Sequence, residues 1–384
     1  MANVKISDLP AATTFGATDL VPIVQSGVTK RVAGSLITAT STNVQTGTVS
    51  TIQAMIAANV PFGNGYMTAS VASSAITIAI KTLAGTDATT TDAVTFVLRS
   101  STITNGAVTG YALTGALTTV ISSGSTLGCS ASDKVRIHVG AMLNGSTSVE
   151  LFYWTASVST SVSVKSFNLT ELISTTAEGG SGGADSSQTA YSTAARTDQP
   201  WTYLGYIEAT SSATAGQWSS IDKIVNWQPG VPMPGDTIQN RRTQSGAVAT
   251  GTTIVPGDDT IPVITEGDQY MTQAITAAST INKFRIMGIF NVTCSAADFA
   301  VYTALFQDAT VDALAAHFSS TSTTAGVAPT SIYHYMVTGT ISETTFRIRM
   351  GPNQASTVTF NGASGARFFG GICDSYVEVQ EIHA

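Results

Sequence analysis

The sequence predicts an all-β protein of β-sandwich or jelly-roll domains joined by linkers, with an extended N-terminal arm. Three observations predict this class. Only 11% of the 384 residues are charged, against ~25% in an average soluble domain, so hydroxyl and amide side chains must cover the surface. Ser, Thr, Asn and Gln alternate with Val, Ile and Phe along most segments, and a branched Cβ packs well on a pleated sheet. Long runs of Glu, Lys, Leu and Arg at helical spacing are absent.

Residues 1–40 read as an extended arm. Pro10 and Pro22 break any helix and push the residues before them into extended backbone. Leu20, Val21, Ile23 and Val24 are apolar, but forty residues cannot bury a core alone. The arm must pack on its own domain or on another protein. Residues 41–60 hold one short helix candidate, TVSTIQAMIAAN over 48–59. Ser50 can cap it, and Ile52, Met55, Ile56 and Asn59 share one face. A helix this short is marginal alone. It packs on its own domain, or it joins a three-chain bundle.

Residues 61–230 read as a middle β-sandwich domain. Ile76, Ile78 and Ile80 alternate, as do Val94, Phe96 and Leu98, and Val149, Leu151 and Tyr153. Val135, Ile137 and Val139 alternate with Lys134, Arg136 and His138 on the other face. This is the period-two pattern of strands buried on one side. Asn105-Gly106 and Asn144-Gly145 supply turns. Residues 231–265 read as a linker punctuated by Pro232, Pro234, Pro256 and Pro262. Residues 266–384 read as a C-terminal β domain. There Phe284, Ile286 and Phe290 alternate, and Phe346, Ile348 and Met350 alternate around Arg347 and Arg349.

Several function classes lose support. The net charge is −7 with no basic run, which argues against a nucleic-acid partner. No apolar stretch reaches the ~18–20 residues that span a bilayer, and the opening MANVKISDLPAATTFG has no apolar core of a secretory signal. Cys129, Cys294 and Cys373 are few, odd and far apart, so they predict free thiols rather than disulfides or a metal site. Gly179-Gly180-Ser181-Gly182-Gly183 matches G-x-S-x-G only formally, because no strand-to-helix turn flanks it. His138, His317, His334 and His383 lack metal spacing. His138, on a strand face beside Arg136, reads as a surface or interface residue. Asp258-Asp259 is the one adjacent acidic pair, and it falls in the linker, where rigid placement for glycan hydrolysis is not expected. No solenoid repeat is visible. Trp201, Trp218 and Trp227, with Tyr203 and Tyr206, fit the middle-domain core or a subunit interface better than a sugar platform. The expectation is a non-enzyme that needs no cofactor.

A resemblance sharpens this reading. Lys5-Ile6-Ser7-Asp8-Leu9-Pro10-Ala11-Ala12-Thr13, then Asp19-Leu20-Val21-Pro22-Ile23-Val24-Gln25 and Gly27-Val28-Thr29-Lys30-Arg31-Val32, resemble the N-terminal segment of tailed-bacteriophage fibre and appendage proteins. It implies docking to the virion, tail or capsid, through Leu9, Pro10, Leu20, Val21, Pro22, Ile23 and Val24. The stretches SSGSTLG, STTAEGGSGGADS and SATAGQW resemble a module that recurs in phage appendages. PGDDTIPVITEGDQYMTQAIT, FRIRMGPN, TVTFNG and ARFFGG are similar to a C-terminal fibre domain that resembles a trimeric jelly roll of the tumour-necrosis-factor type. The resemblance implies a homotrimer, with Ile52, Ile56, Phe346 and Ile348 at its interface, and a β tip that contacts a host or other surface. A capsid head fibre or decoration protein without a receptor role, and an adhesin for a host surface glycan, are the alternatives. The loops 319–330 and 361–366 are the expected contact regions of the tip.

Overall fold

The computed structural model describes residues 20–25, 28–33, 62–99, 108–144, 148–169, 171–180, 185–228, 230–297 and 299–384. The helix candidate at 48–59, with Ile52 and Ile56, lies outside them, as do Leu9, Pro10 and most of the Gly-rich loop. Described secondary structure is β throughout, apart from one tight turn at Phe369–Gly371. The all-β expectation therefore holds. In the arm, Leu20–Gln25 pairs antiparallel with Val28–Ala33, in register from Leu20↔Ala33 to Gln25↔Val28.

The first body is built on a ten-stranded sheet. Its centre is Lys134–Leu143, hydrogen-bonded to Val149–Thr155 on one side and Trp201–Ser211 on the other. A three-stranded sheet of Gly65–Ala72, Ala75–Thr82 and Leu117–Ile121 lies opposite. Ile76, Ile78 and Ile80 from the small sheet pack with Val94, Phe96, Val135, Ile137 and Val139 from the large one. The alternation visible in the sequence is this packing.

The other face of the large sheet departs from expectation. Lys134–Leu143 is buried on both sides over most of its length. Met142, Phe152, Trp154, Trp201 and Tyr203 form a second apolar layer there. Val164, Phe167 and Leu169, from a segment without strand structure, help to cover it. Close packing of this layer demands glycine at position 140, where a Cβ would sit 2.4 Å from the Phe152 ring. At Gly205, beside a register shift, φ is +131° and a Cβ would meet the Val225 carbonyl at 2.0 Å.

The second body is a sandwich of two antiparallel four-stranded sheets. One runs in the order Thr237–Ser245, Ser375–Ile382, Lys283–Phe290, Thr330–Val337. The other runs Asp268–Thr276, Glu343–Pro352, Phe299–Gln307, Ala315–Thr321. Phe284, Ile286, Phe290, Val377 and Val379 from the first meet Met271, Leu305, Phe346, Ile348 and Met350 from the second. A three-stranded sheet, Ala249–Gly251, Val358–Phe360 and Val292–Cys294, extends the same body.

Two expectations need correction here. Residues 231–265, read as a linker, contribute Thr237–Ser245, which pairs with Ser375–Ile382 from Thr237↔Ile382 to Ser245↔Ser375. They also contribute Ala249–Gly251 and the buried Val255. Pro256 and Pro262 punctuate turns between strands of the second body, and only the short stretch with Pro232 and Pro234, between Trp218–Asn226 and Thr237–Ser245, connects the two bodies. Phe346 and Ile348, read as trimer-interface residues, are fully buried between the two sheets of one chain. A partner subunit has no access to side chains that already fill the protomer core.

Candidate functional sites: an interbody polar centre and an open sheet face

Arg136 and His138 stand on the face of Lys134–Leu143 turned away from the first core. There they meet the second body. Arg136 is 2% exposed, so its charge must be compensated locally. Its Nη2 donates to Glu208 Oε1 at 2.6 Å, and its Nε reaches the same oxygen at 3.2 Å. Nη1 donates to Asn282 Oδ1 and to the Ala384 carbonyl oxygen, both at 2.9 Å. Nη2 also reaches Ser279 Oγ at 3.2 Å. The guanidinium lies 4.7 Å from the centroid of the Tyr206 ring. One side chain of the first body thus binds three residues of the second.

A ring of secondary contacts holds those partners. Asn282 donates to Glu381 Oε1 at 2.5 Å. The fully buried Glu381 carboxylate also accepts the Ala278 N–H at 2.9 Å and the Gln239 amide at 2.6 Å. Lys283 is equally buried and donates its Nζ to the Val158 carbonyl of the first body at 3.0 Å. Burial, then the neighbouring Arg136, lowers its pKa to about 8.

Two histidines complete the centre. His138 Nδ1 bonds the Tyr203 hydroxyl at 2.8 Å, and its ring lies 6.1 Å from that of His383. Burial, then Arg136 and His383, holds His138 well below the usual imidazole range. Burial, then Arg136 and Lys223, brings His383 down to about 3. Both rings are neutral at ordinary pH. His138, read from the sequence as a surface or interface residue, is instead fully buried inside one chain, between its two bodies. The identity of its neighbours was hidden in the sequence: Ala384 is 248 positions from Arg136.

The second feature is a sheet face that the described residues leave open. On the outward side of the sheet containing Lys283–Phe290, three rows of side chains run across the strands. Tyr376, Ile289 and Ser331 form one row, Glu378, Met287 and Tyr333 the next, and Gln380, Arg285 and Tyr335 the third. Tyr333 is 58% exposed and Ile289 48%. The Tyr333 and Tyr335 rings lie 5.7 Å apart. Arg242 stacks over Tyr376 at 4.0 Å. Tyr, Met and Arg are the residue types that interfaces favour.

The remaining sequence candidates resolve into structural parts. Trp201 and Trp218 are buried, and Trp227 packs against the second apolar layer. Arg347 and Arg349, on the other face of their strand, donate to main-chain oxygens of their own chain: Arg347 to Asp308, and Arg349 to Glu266 and Gly267. Asp258 accepts the N–H and hydroxyl of Thr260, capping its own turn. Cys129, Cys294 and Cys373 are free thiols. Residues 319–321 end a strand, and 362–363 pair with 366–367 in a small hairpin.

No protein-family model and no curated protein matches the chain. Among solved structures it is similar to Eiger TNF from S. frugiperda, at 10% identity over 39% of this chain and 94% of that one, with a TM-score of 0.23. It is also similar to the VP2 subviral particle of infectious bursal disease virus, at 11% identity over 84% and 76%, TM-score 0.21. The insecticidal delta-endotoxin Cry8Ea1 from Bacillus thuringiensis matches at 9% identity over 83% and 52%, TM-score 0.20. At these TM-scores none of them carries a functional argument.

Proposed function

We propose that the chain is a structural virion appendage of a tailed phage, docked through its N-terminal arm and assembled as a homotrimer. The observation that carries this reading is the open tyrosine-rich face of the C-terminal sandwich, beside a core that is otherwise closed. A sheet face bearing Tyr333, Ile289, Met287 and Tyr376 is costly to leave in water and gains by packing on a second copy. Two further observations support it. The two bodies are tied by a buried polar centre, which suits a rigid projecting object. The segment with the docking resemblance contains its own strand pair, Leu20–Gln25 with Val28–Ala33, separate in sequence from both bodies. The mechanism is assembly followed by multivalent surface contact, which raises avidity by effective concentration. Catalysis has no part in it.

Deletion of residues 1–35 tests the docking half. The truncated protein should keep its oligomeric mass yet be missing from assembled particles. Normal incorporation of the truncated protein would refute N-terminal docking.

A further inference from the structure

The third row of the open face ends in a cleft where the two bodies meet. Its volume is about 420 Å³, and its lining includes Ser163 and Val164 from the first body and Thr237, Arg285, Tyr335 and Ile382 from the second. Small-ligand sites run to ~300–1,000 Å³ and favour such boundaries. The lining divides by chemistry. Val164 and Ile382 are apolar, and Ser163, Thr237 and Tyr335 carry hydroxyls. Arg285 is the one charged residue of the lining.

Arg285 is incompletely satisfied. Its Nη2 bonds the neutral Gln380 amide oxygen, and its Nε is buried with no acceptor. Among the described residues it forms no ion pair, whereas Arg136, Arg196 and Arg242 each have a glutamate. The acids nearest in sequence to the lining are engaged elsewhere. Asp236 accepts the Met233 N–H, Glu381 accepts from Ala278, Asn282 and Gln239, and Glu378 takes the amides of Asn240 and Gln380 and pairs with Arg242. A guanidinium that lines a cleft with only a neutral partner keeps its charge available to an anionic oxygen at the nitrogens facing the cleft.

We infer that this cleft binds an acidic saccharide, a hexuronate unit whose carboxylate meets Arg285 and whose ring lies against Tyr335. A hexuronate matches the lining part by part. The carboxylate supplies the charged partner that Arg285 lacks, the C–H face of the ring suits the aromatic and aliphatic wall, and the ring hydroxyls suit Ser163 and Thr237. A bare phosphate would leave the apolar wall unused. The site goes beyond the assembly proposal, which needs no ligand.

The test uses the full chain and titrates it calorimetrically with oligogalacturonate, hyaluronate and alginate fragments, the methyl ester of the oligogalacturonate, a neutral maltooligosaccharide and a short polyglutamate peptide. At least one hexuronate oligomer should bind, and its affinity should fall at least about tenfold in Arg285→Gln, the loss expected for a charge-assisted hydrogen bond. Tyr335→Leu should weaken it several-fold, and both variants should melt within a few degrees of wild type. No binding of any hexuronate at millimolar concentration overturns the inference. So does equal binding of the methyl ester, tighter binding of polyglutamate, or full affinity in Arg285→Gln. Sedimentation of the same samples keeps this result separate from assembly, because saccharide binding can fail in a protein that is still a trimer.

Discussion

The two bodies solve the same problem in opposite ways. In each body one sheet also carries large side chains on the face turned away from the main core, apolar in the first body and mixed with Arg285, Glu378 and Gln380 in the second. In the first body, the outer face of the large sheet is covered from within the chain: Trp154, Trp201 and Phe152 lie under Phe167, Leu169 and Val164. In the second body, the outer face of the sheet holding Ile289, Tyr333 and Tyr376 has no such cover among the described residues. Under the proposed function, the sheet left open on the second body is the self-association surface. The difference also separates residues that hold the protomer together from residues free to meet a partner.

The comparison breaks most visibly in the two closed layers. Trp154→Ala should cost about 3–5 kcal/mol of protomer stability, the usual range for a buried aromatic truncated to Ala. Phe346→Ala should cost a similar amount. For both, denaturant midpoints should shift alike at low and high protein concentration. A Phe346→Ala loss that grows on dilution would return Phe346 to a subunit interface.

Glu208→Gln comes next. It leaves the buried Arg136 without its carboxylate and should cost about 1.5–3 kcal/mol, the range for a hydrogen bond to a charged group. Because the Arg136 network spans both bodies, the variant should also show earlier proteolytic cleavage between residues 228 and 237. Unchanged cleavage and stability would mean that the centre does not couple the bodies.

The histidine pair sharpens the same point through pH. In the folded chain both His138 and His383 lie below the ~6.5 of free imidazole, with His383 at about 3. The unfolded chain therefore binds more protons in this window. The stabilisation is whole above pH ~6.5 and is lost progressively as pH falls toward 3. Urea midpoints should drop between pH 7.5 and 5, and His383→Asn should flatten that slope. An equal slope in the variant would remove His383 as its source.

The sequence made some of this legible. Val135, Ile137 and Val139 announced one face of the central strand by simple alternation, as Phe284 and Ile286 did in the second body. The opposite face of Lys134–Leu143 was not legible, because Arg136 and His138 look like surface residues. They are buried by Asn282, His383 and Ala384, which no local pattern connects to them. The same blindness to distant pairing made Thr237–Ser245 read as linker. Its side chains are polar because they line an edge strand of the sandwich, and its partner, Ser375–Ile382, lies far along the chain. Phe346 and Ile348 show a related limit. Alternation tells that a strand has an apolar face, and says nothing of whether the same chain or another one covers it.

The smallest effect on the protomer should come from the open face, and the largest effect on assembly. Tyr333→Glu with Ile289→Glu replaces two exposed side chains and should change protomer stability by about 0.5 kcal/mol or less, as surface substitutions do. Sedimentation of the full chain at micromolar concentration, beside this double variant, therefore tests the central claim most directly. The wild type should sediment as a trimer, and the double variant as a folded monomer with unchanged near-ultraviolet circular dichroism. A wild-type monomer, or a double variant that remains a trimer, would contradict assembly through this face.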